Sequence, residues 1–109
     1  FDATQLVRII NNLINNAIQA CEEVKQPQIR VTITTEKKGI VLAVEDNGKG
    51  IPKDLQDRIF EPTFTTKTSG MGLGLSMVKS IVETYDGAVV FDSTPDAFTR
   101  FELRIPSVD

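Results

Sequence analysis

The sequence predicts a two-layer α+β sandwich with its helices on one face of a sheet. Two long stretches carry apolar residues at helical spacing, four short stretches read as strands, and the strands come in consecutive pairs joined by turn residues. Consecutive hairpins make an antiparallel or mixed sheet, not a doubly wound parallel one. At 109 residues, residues 1–109 form one domain.

The first helix is expected from Ala3 to about Lys25, capped by Asp2 or Thr4 and stopped by Pro27. Leu6, Ile10, Leu13, Ala17 and Val24 form its apolar stripe, with Cys21 a packed thiol at the edge. Residues 28–35 alternate strictly and place Ile29, Val31 and Ile33 on one face. A turn at Lys37-Lys38-Gly39 leads to a second strand at 40–45, closing a hairpin. Pro52 opens a short helix over 52–60. Residues 61–74 are a loop rich in Pro, Thr, Ser and Gly. A second long helix spans 73–85 with Leu75, Val78 and Val82 inward, and Asp86-Gly87 closes it. Strands at 88–93 and 98–105 flank a turn at Pro95-Asp96.

Composition removes several functions. The net charge is −3, so a sequence-independent nucleic-acid binder is disfavoured. No apolar run is long enough to span a bilayer, and no secretion leader opens the chain. One cysteine makes no internal disulfide and fits a reducing compartment. The absence of histidine removes Ser-His-Asp and Cys-His catalysis, and histidine metal sites, within these residues. Opening at Phe1 without Met, the chain reads as a piece of a longer protein.

Four segments carry candidate chemistry. Asn11, Asn12, Asn15 and Asn16 crowd the first helix, where asparagine is a poor helix former. At about 100° per residue, Asn12 and Asn16 share one flank of the apolar stripe, with Asn11 and Asn15 well round toward the other side. The pair fits either a solvated polar face or two neutral oxygens for a hard cation such as Mg²⁺. Asp46-Asn47-Gly48-Lys49-Gly50 follows the second strand. It serves as a plain turn, or as a ligand loop in which Gly48 and Gly50 allow close approach and Asp46 accepts from a ligand amine. Gly70-Met71-Gly72-Leu73-Gly74-Leu75 feeds the second long helix, as a hinge or as a phosphate cradle at a helix N-terminus. Its spacing is neither the dinucleotide fingerprint nor a Walker loop. Between them, residues 60–67 (F-E-P-T-F-T-T-K) supply hydroxyls, two aromatics and one mobile cation, Lys67.

Taken together and in this order, the segments resemble the ATP-binding catalytic domain of bacterial sensor histidine kinases, over nearly the whole chain. N-N-L-I-N-N-A-I-Q-A resembles the asparagine box, D-N-G-K-G the first glycine box, I-F-E-P-T-F-T-T-K the phenylalanine box with the start of the ATP lid, and G-M-G-L-G-L the second glycine box. The F-E-L-R-I-P strand resembles the domain's usual close. The resemblance implies a Bergerat-type ATP-binding fold: a mixed, mostly antiparallel sheet of about five strands with three helices on one face. It implies ATP and Mg²⁺ as cofactors, with Asn12 and Asn16 as metal ligands. Gln19, Asp46, Gly48, Gly50, Ile51, Phe60, Thr65, Thr66, Lys67, Gly70, Met71, Gly72, Leu73, Gly74, Leu75 and Thr99 complete the implied nucleotide site, and Asn12, Asn16 and Lys67 are the implied catalytic residues. With only Thr68 and Ser69 between Lys67 and Gly70, the lid is short, like that of the nitrogen-regulation type.

Two positions depart from the family pattern. Gln19 stands where the family often has a basic residue, which leaves Lys67 as the side-chain cation near the phosphates. Asp96-Ala97-Phe98-Thr99 replaces the usual G-x-G-T and keeps only the threonine, near adenine. Asn12 also stands where hydrolytic relatives place a water-activating glutamate, which favours phosphotransfer over ATP hydrolysis.

The resemblance implies transfer of the γ-phosphoryl group to a histidine on a separate dimerisation domain of a homodimeric parent kinase, then to a response-regulator aspartate. It implies a cytoplasmic location, without nucleic acid and without membrane insertion of this domain. The competing readings are a protein-serine kinase of the anti-sigma type and a non-catalytic nucleotide-binding module.

Overall fold

A computed structural model describes residues 3–61 and 74–106. Helix α1 (Ala3–Ala20) leads into strands β1 (Ile29–Glu36) and β2 (Gly39–Asp46), then helix α2 (Leu75–Thr84), β3 (Ala88–Thr94) and β4 (Phe98–Pro106). The strands form one sheet in the order β1-β2-β4-β3, with every neighbouring pair antiparallel. Helix α1 lies over β2 and α2 over β3 and β4. Ile9, Leu13, Leu42, Val44, Val78, Val82 and Leu103 fill the space between the layers.

The α+β class with helices on a largely antiparallel sheet is as expected, but the counts differ. The described residues hold four strands and two helices rather than about five and three. Residues 53–60 form successive turns instead of a helix. Their backbone bonds span three residues, as from Leu55 N to Pro52 O (2.9 Å) and from Arg58 N to Leu55 O (2.9 Å). The segment is tied at its start, where Ile51 N donates to Ser93 Oγ (2.8 Å) and Gln56 Nε2 to the Ile51 carbonyl (2.9 Å). These tertiary anchors override the helical propensity of the sequence.

Helix α1 stops at Ala20, about a turn before the expected end. The Ala20 carbonyl accepts from Lys49 N (2.9 Å), so the loop after β2 satisfies a helix-terminal group that would otherwise be orphaned. The buried stripe of α1 runs through Ile9, Leu13, Asn16, Ala17 and Ala20, while Leu6 and Ile10 pack only at its border. Adjacent Ile9 and Ile10 make either residue a plausible centre, and packing selects Ile9.

Strand β1 is exposed along its whole length. Its register sets Ile29, Val31 and Ile33 opposite Asp46, Val44 and Leu42, on the helix-facing side. Yet α1 is centred over β2, so these three remain 38–55% exposed. Helix α2 begins at Leu75 and ends at Thr84, within the expected 73–85.

Candidate functional site

Three segments converge along one flank of α1. At the helix's C-terminal end, Gly48 lies so close to Ala20 that a Cβ would collide with the Ala20 carbonyl. Nearer the middle, Gly74 at φ +99° puts the start of α2 against the Asn12 carboxamide, where a Cβ would clash. Arg8 reaches α2 as well, with Nη2 3.0 Å from Met77 Sδ. The first glycine loop, the asparagine pair and the start of α2 are thereby held on one side of one helix.

Asn12 is half-buried and Asn16 is buried, 4% exposed. Asn16 Nδ2 donates to Asn12 Oδ1 at 3.4 Å. In this arrangement an oxygen of one faces the amide nitrogen of the other, so presenting both oxygens to one cation takes a carboxamide rotation. The Gln19 side-chain oxygen, further along α1, is buried without a hydrogen-bond partner among the described residues. Among the described residues, no three His, Cys, Asp or Glu side chains gather as metal ligands, so a cation on this flank would be held by neutral amide oxygens.

Asp46 ends β2 and is buried, with Oδ1 accepting from Gly48 N at 2.9 Å. Burial pushes its carboxyl above the usual carboxylate range; the Gly48 hydrogen bond opposes this and nearby Glu45 adds to it. Thr99 sits across from Asp46 in the β2–β4 register and is also buried. Its hydroxyl lies 2.9 Å from Ser93 Oγ. Ser93 accepts from Ile51 N and can donate to the Phe98 carbonyl at 3.0 Å. A hydroxyl has one proton, so when Ser93 donates to Phe98, Thr99 donates to Ser93. Ser93 has no motif around it; only the pairing of β3 with β4 brings it to the site.

Gly50 takes φ +73° and packs against the Thr94 carbonyl, where a Cβ would collide, while Asp96 N donates to the Lys49 carbonyl at 2.6 Å. Asn47, inside the same loop, faces elsewhere. Its Oδ1 accepts from Gln28 N (2.8 Å) and its Nδ2 donates to the Gln26 carbonyl (3.0 Å), clamping the connection into β1. Cys21 Sγ lies 3.6 Å from the same Oδ1. Burial raises the thiol pKa, the Asp46 charge raises it further, and Asn47 partly offsets both.

Ile51 and Leu75 are core residues, 1% and 2% exposed. Phe60 packs edge-on to Phe91, with ring centroids 5.9 Å apart, under Lys79 Nζ at 5.5 Å. It anchors the chain entering residues 61–74. Thr65, Thr66, Lys67, Gly70, Met71, Gly72 and Leu73 lie outside the described residues. A cavity of about 840 Å³ opens on the β1 side of Asp46, lined by Pro27, Gln28, Arg30, Glu45, Asn47 and Phe98 among others, but by neither asparagine of the pair.

The family match covers this whole arrangement. Residues 1–109 match the model described as histidine kinase-, DNA gyrase B-, and HSP90-like ATPase, and the chain belongs to that family. It is a catalytic ATPase domain of the histidine-kinase type. It is 40% identical over 105 residues to the sensor histidine kinase ZraS of Escherichia coli strain K12, covering 96% of this chain and 22% of ZraS. It is 36% identical over 118 residues to the sensory histidine kinase/phosphatase NtrB of Azospirillum brasilense, covering 96% of this chain and 29% of NtrB. The solved catalytic domain of the histidine kinase ThkA matches with a TM-score of 0.81 at 33% identity, over 96% of this chain and 68% of that one. The chain thus spans less than a third of either curated relative.

Proposed function

We propose that residues 1–109 bind Mg·ATP and donate its γ-phosphoryl group to a histidine on a separate dimerisation domain, for relay to an aspartate of a response-regulator receiver domain. The observation that carries this reading is the convergence of Asn12, Gly74 and the Gly48 loop on one flank of α1. In a family of ATPases, that convergence sets the Asn12 carboxamide beside the start of α2. Gly74 caps α2 with no side-chain hydrogen bond, and the first intrahelical donor is Val78 N, bonded to the Gly74 carbonyl at 3.0 Å. Among the described residues no side chain caps this helix start, and the N–H groups of its first turn would meet phosphate oxygens.

The donor set fits the metal, since neutral carboxamide oxygens suit a hard cation that keeps several waters. Asn12 and Asn16 would hold Mg²⁺, which when bound neutralises charge on the phosphate oxygens. Asp46 accepts from the adenine amine, and Thr99, oriented by Ser93, holds a water or ring nitrogen beside it. Lys67 brings a positive charge to the phosphates. The acceptor imidazole is the nucleophile, so the chain supplies positioning and charge rather than a base.

The parent in this proposal is a homodimeric sensor kinase with its catalytic domain in the cytoplasm.

Incubating the chain with γ-labelled ATP and a separately produced dimerisation domain tests the reading. Label on the dimerisation domain that is stable to base and labile to acid is the expected result. Acid-stable label on serine would replace it with a serine kinase, and tight nucleotide binding without transfer to any acceptor would replace it with a regulatory module.

A further inference from the structure

We infer that Gln19 is a positioning residue for the divalent cation, its side-chain oxygen receiving a hydrogen bond from a water that the cation holds. The inference rests on the Mg·ATP reading above and adds a residue that acts through the metal's hydration shell. At about 100° per residue, Gln19, Asn12 and Asn16 fall within an arc of about 60° on α1. The half-buried Gln19 holds its Oε1 with no hydrogen-bond partner among the described residues. Buried polar atoms in native proteins are nearly always paired, so an orphan of this kind calls for a missing partner.

The chemistry of that partner is constrained. A carboxamide oxygen only accepts, so a phosphate oxygen, also an acceptor, cannot satisfy it. A basic residue at this position would meet phosphate directly; Gln19 oxygen needs an O–H or N–H. Helix side chains lean toward the N-terminus, which carries Gln19 over the turn that bears Asn16. Asn16 Nδ2 donates to Asn12, and no donor among the described residues bonds Gln19 Oε1. Mg²⁺ sheds its waters reluctantly, and those waters are strong donors beside the asparagine pair. Outer-shell contacts of this type orient a metal and are typically worth about 10- to 100-fold in metal affinity.

Calorimetric titration of the 109-residue chain with ATP, once in MgCl₂ and once in EDTA, tests this on the native chain, Gln19→Met and Gln19→Glu. Gln19→Met is expected to reduce the Mg²⁺-dependent gain in ATP affinity about tenfold, with affinity in EDTA unchanged. Gln19→Glu keeps the acceptor and is expected to match or exceed the native gain. The electron paramagnetic resonance spectrum of Mn²⁺ with ADP should change in Gln19→Met, because the ion's hydration shell has changed. A native-sized gain in Gln19→Met would overturn the inference. An equal loss in MgCl₂ and EDTA would also overturn it, assigning the oxygen to the nucleotide itself, such as a ribose hydroxyl. If Gln19→Met does not fold, Gln19→Glu decides: a lower gain than native overturns the inference. A native chain that binds ATP in neither buffer would overturn the Mg·ATP reading, an outcome distinct from the others.

Discussion

Thr99 faces Asp46 directly across the β2–β4 ladder, and the two are buried polar residues side by side at the end of the sheet. A buried carboxylate with one backbone donor among the described residues is expensive, and its raised pKa expresses that cost. In the proposed reading Asp46 serves binding rather than stability. The predictions below separate the two.

Asp46→Asn should weaken adenine nucleotides by about 1.5–3 kcal/mol, the worth of a hydrogen bond to a charged group. It should also change the pH profile of stability. The folded carboxyl binds its proton more tightly than the unfolded one, so native stability falls as pH rises from the ordinary carboxylate range through the raised value. Below that window the penalty is absent. The asparagine variant should show a flatter profile and no loss of stability at neutral pH by urea denaturation. Strong destabilisation of the variant at pH 7 would contradict this.

Ser93→Ala should loosen both the site and the fold. Ile51 N loses its acceptor and Thr99 its hydroxyl partner, a cost of about 1–3 kcal/mol for a buried donor left unpaired. Urea denaturation should show that loss, and calorimetry a weaker ATP affinity. Unchanged affinity would remove Ser93 from the site.

Asn47→Ala should cost about 1–3 kcal/mol of stability through the Gln26 and Gln28 backbone contacts, yet leave ATP affinity near native. A selective loss of affinity would make Asn47 a ligand residue.

Asn16→Asp should impair Mg·ATP use and also destabilise the fold, because Asn16 is buried rather than exposed. Thermal melting and calorimetry on the same sample separate the effects. Native affinity for Mg·ATP in a folded variant would exclude Asn16 as a ligand.

Cys21 should resist alkylation in the folded chain and react readily in urea, since burial and the Asp46 charge both keep the thiol protonated. Labelling with a thiol reagent, with and without urea, reads this directly.

The hairpins were legible because strict alternation and turn residues are local signals, as in residues 28–35 and Lys37-Lys38-Gly39. The asparagine pair and the Asp46 loop were legible because their residue types are poor choices for a plain helix or strand end. What escaped depended on tertiary contacts. Ser93 matters through a strand register and Asn47 through a clamp on a distant connection. Residues 52–60 carry helical spacing but are held in turns by Ser93 and Gln56. The alternation of β1 correctly assigns Ile29, Val31 and Ile33 to one face, but alternation does not say whether a helix covers that face.

The most direct test of the account is the ¹H–¹⁵N spectrum of the 109-residue chain, titrated with ATP in the presence of Mg²⁺. The side-chain amides of Asn12 and Asn16 and the backbone amides of Gly48, Gly74 and Leu75 should shift together with one affinity. Shifts confined to Gln28, Arg30 and Asn47 around the β1-side cavity, with the asparagine pair unmoved, would contradict it.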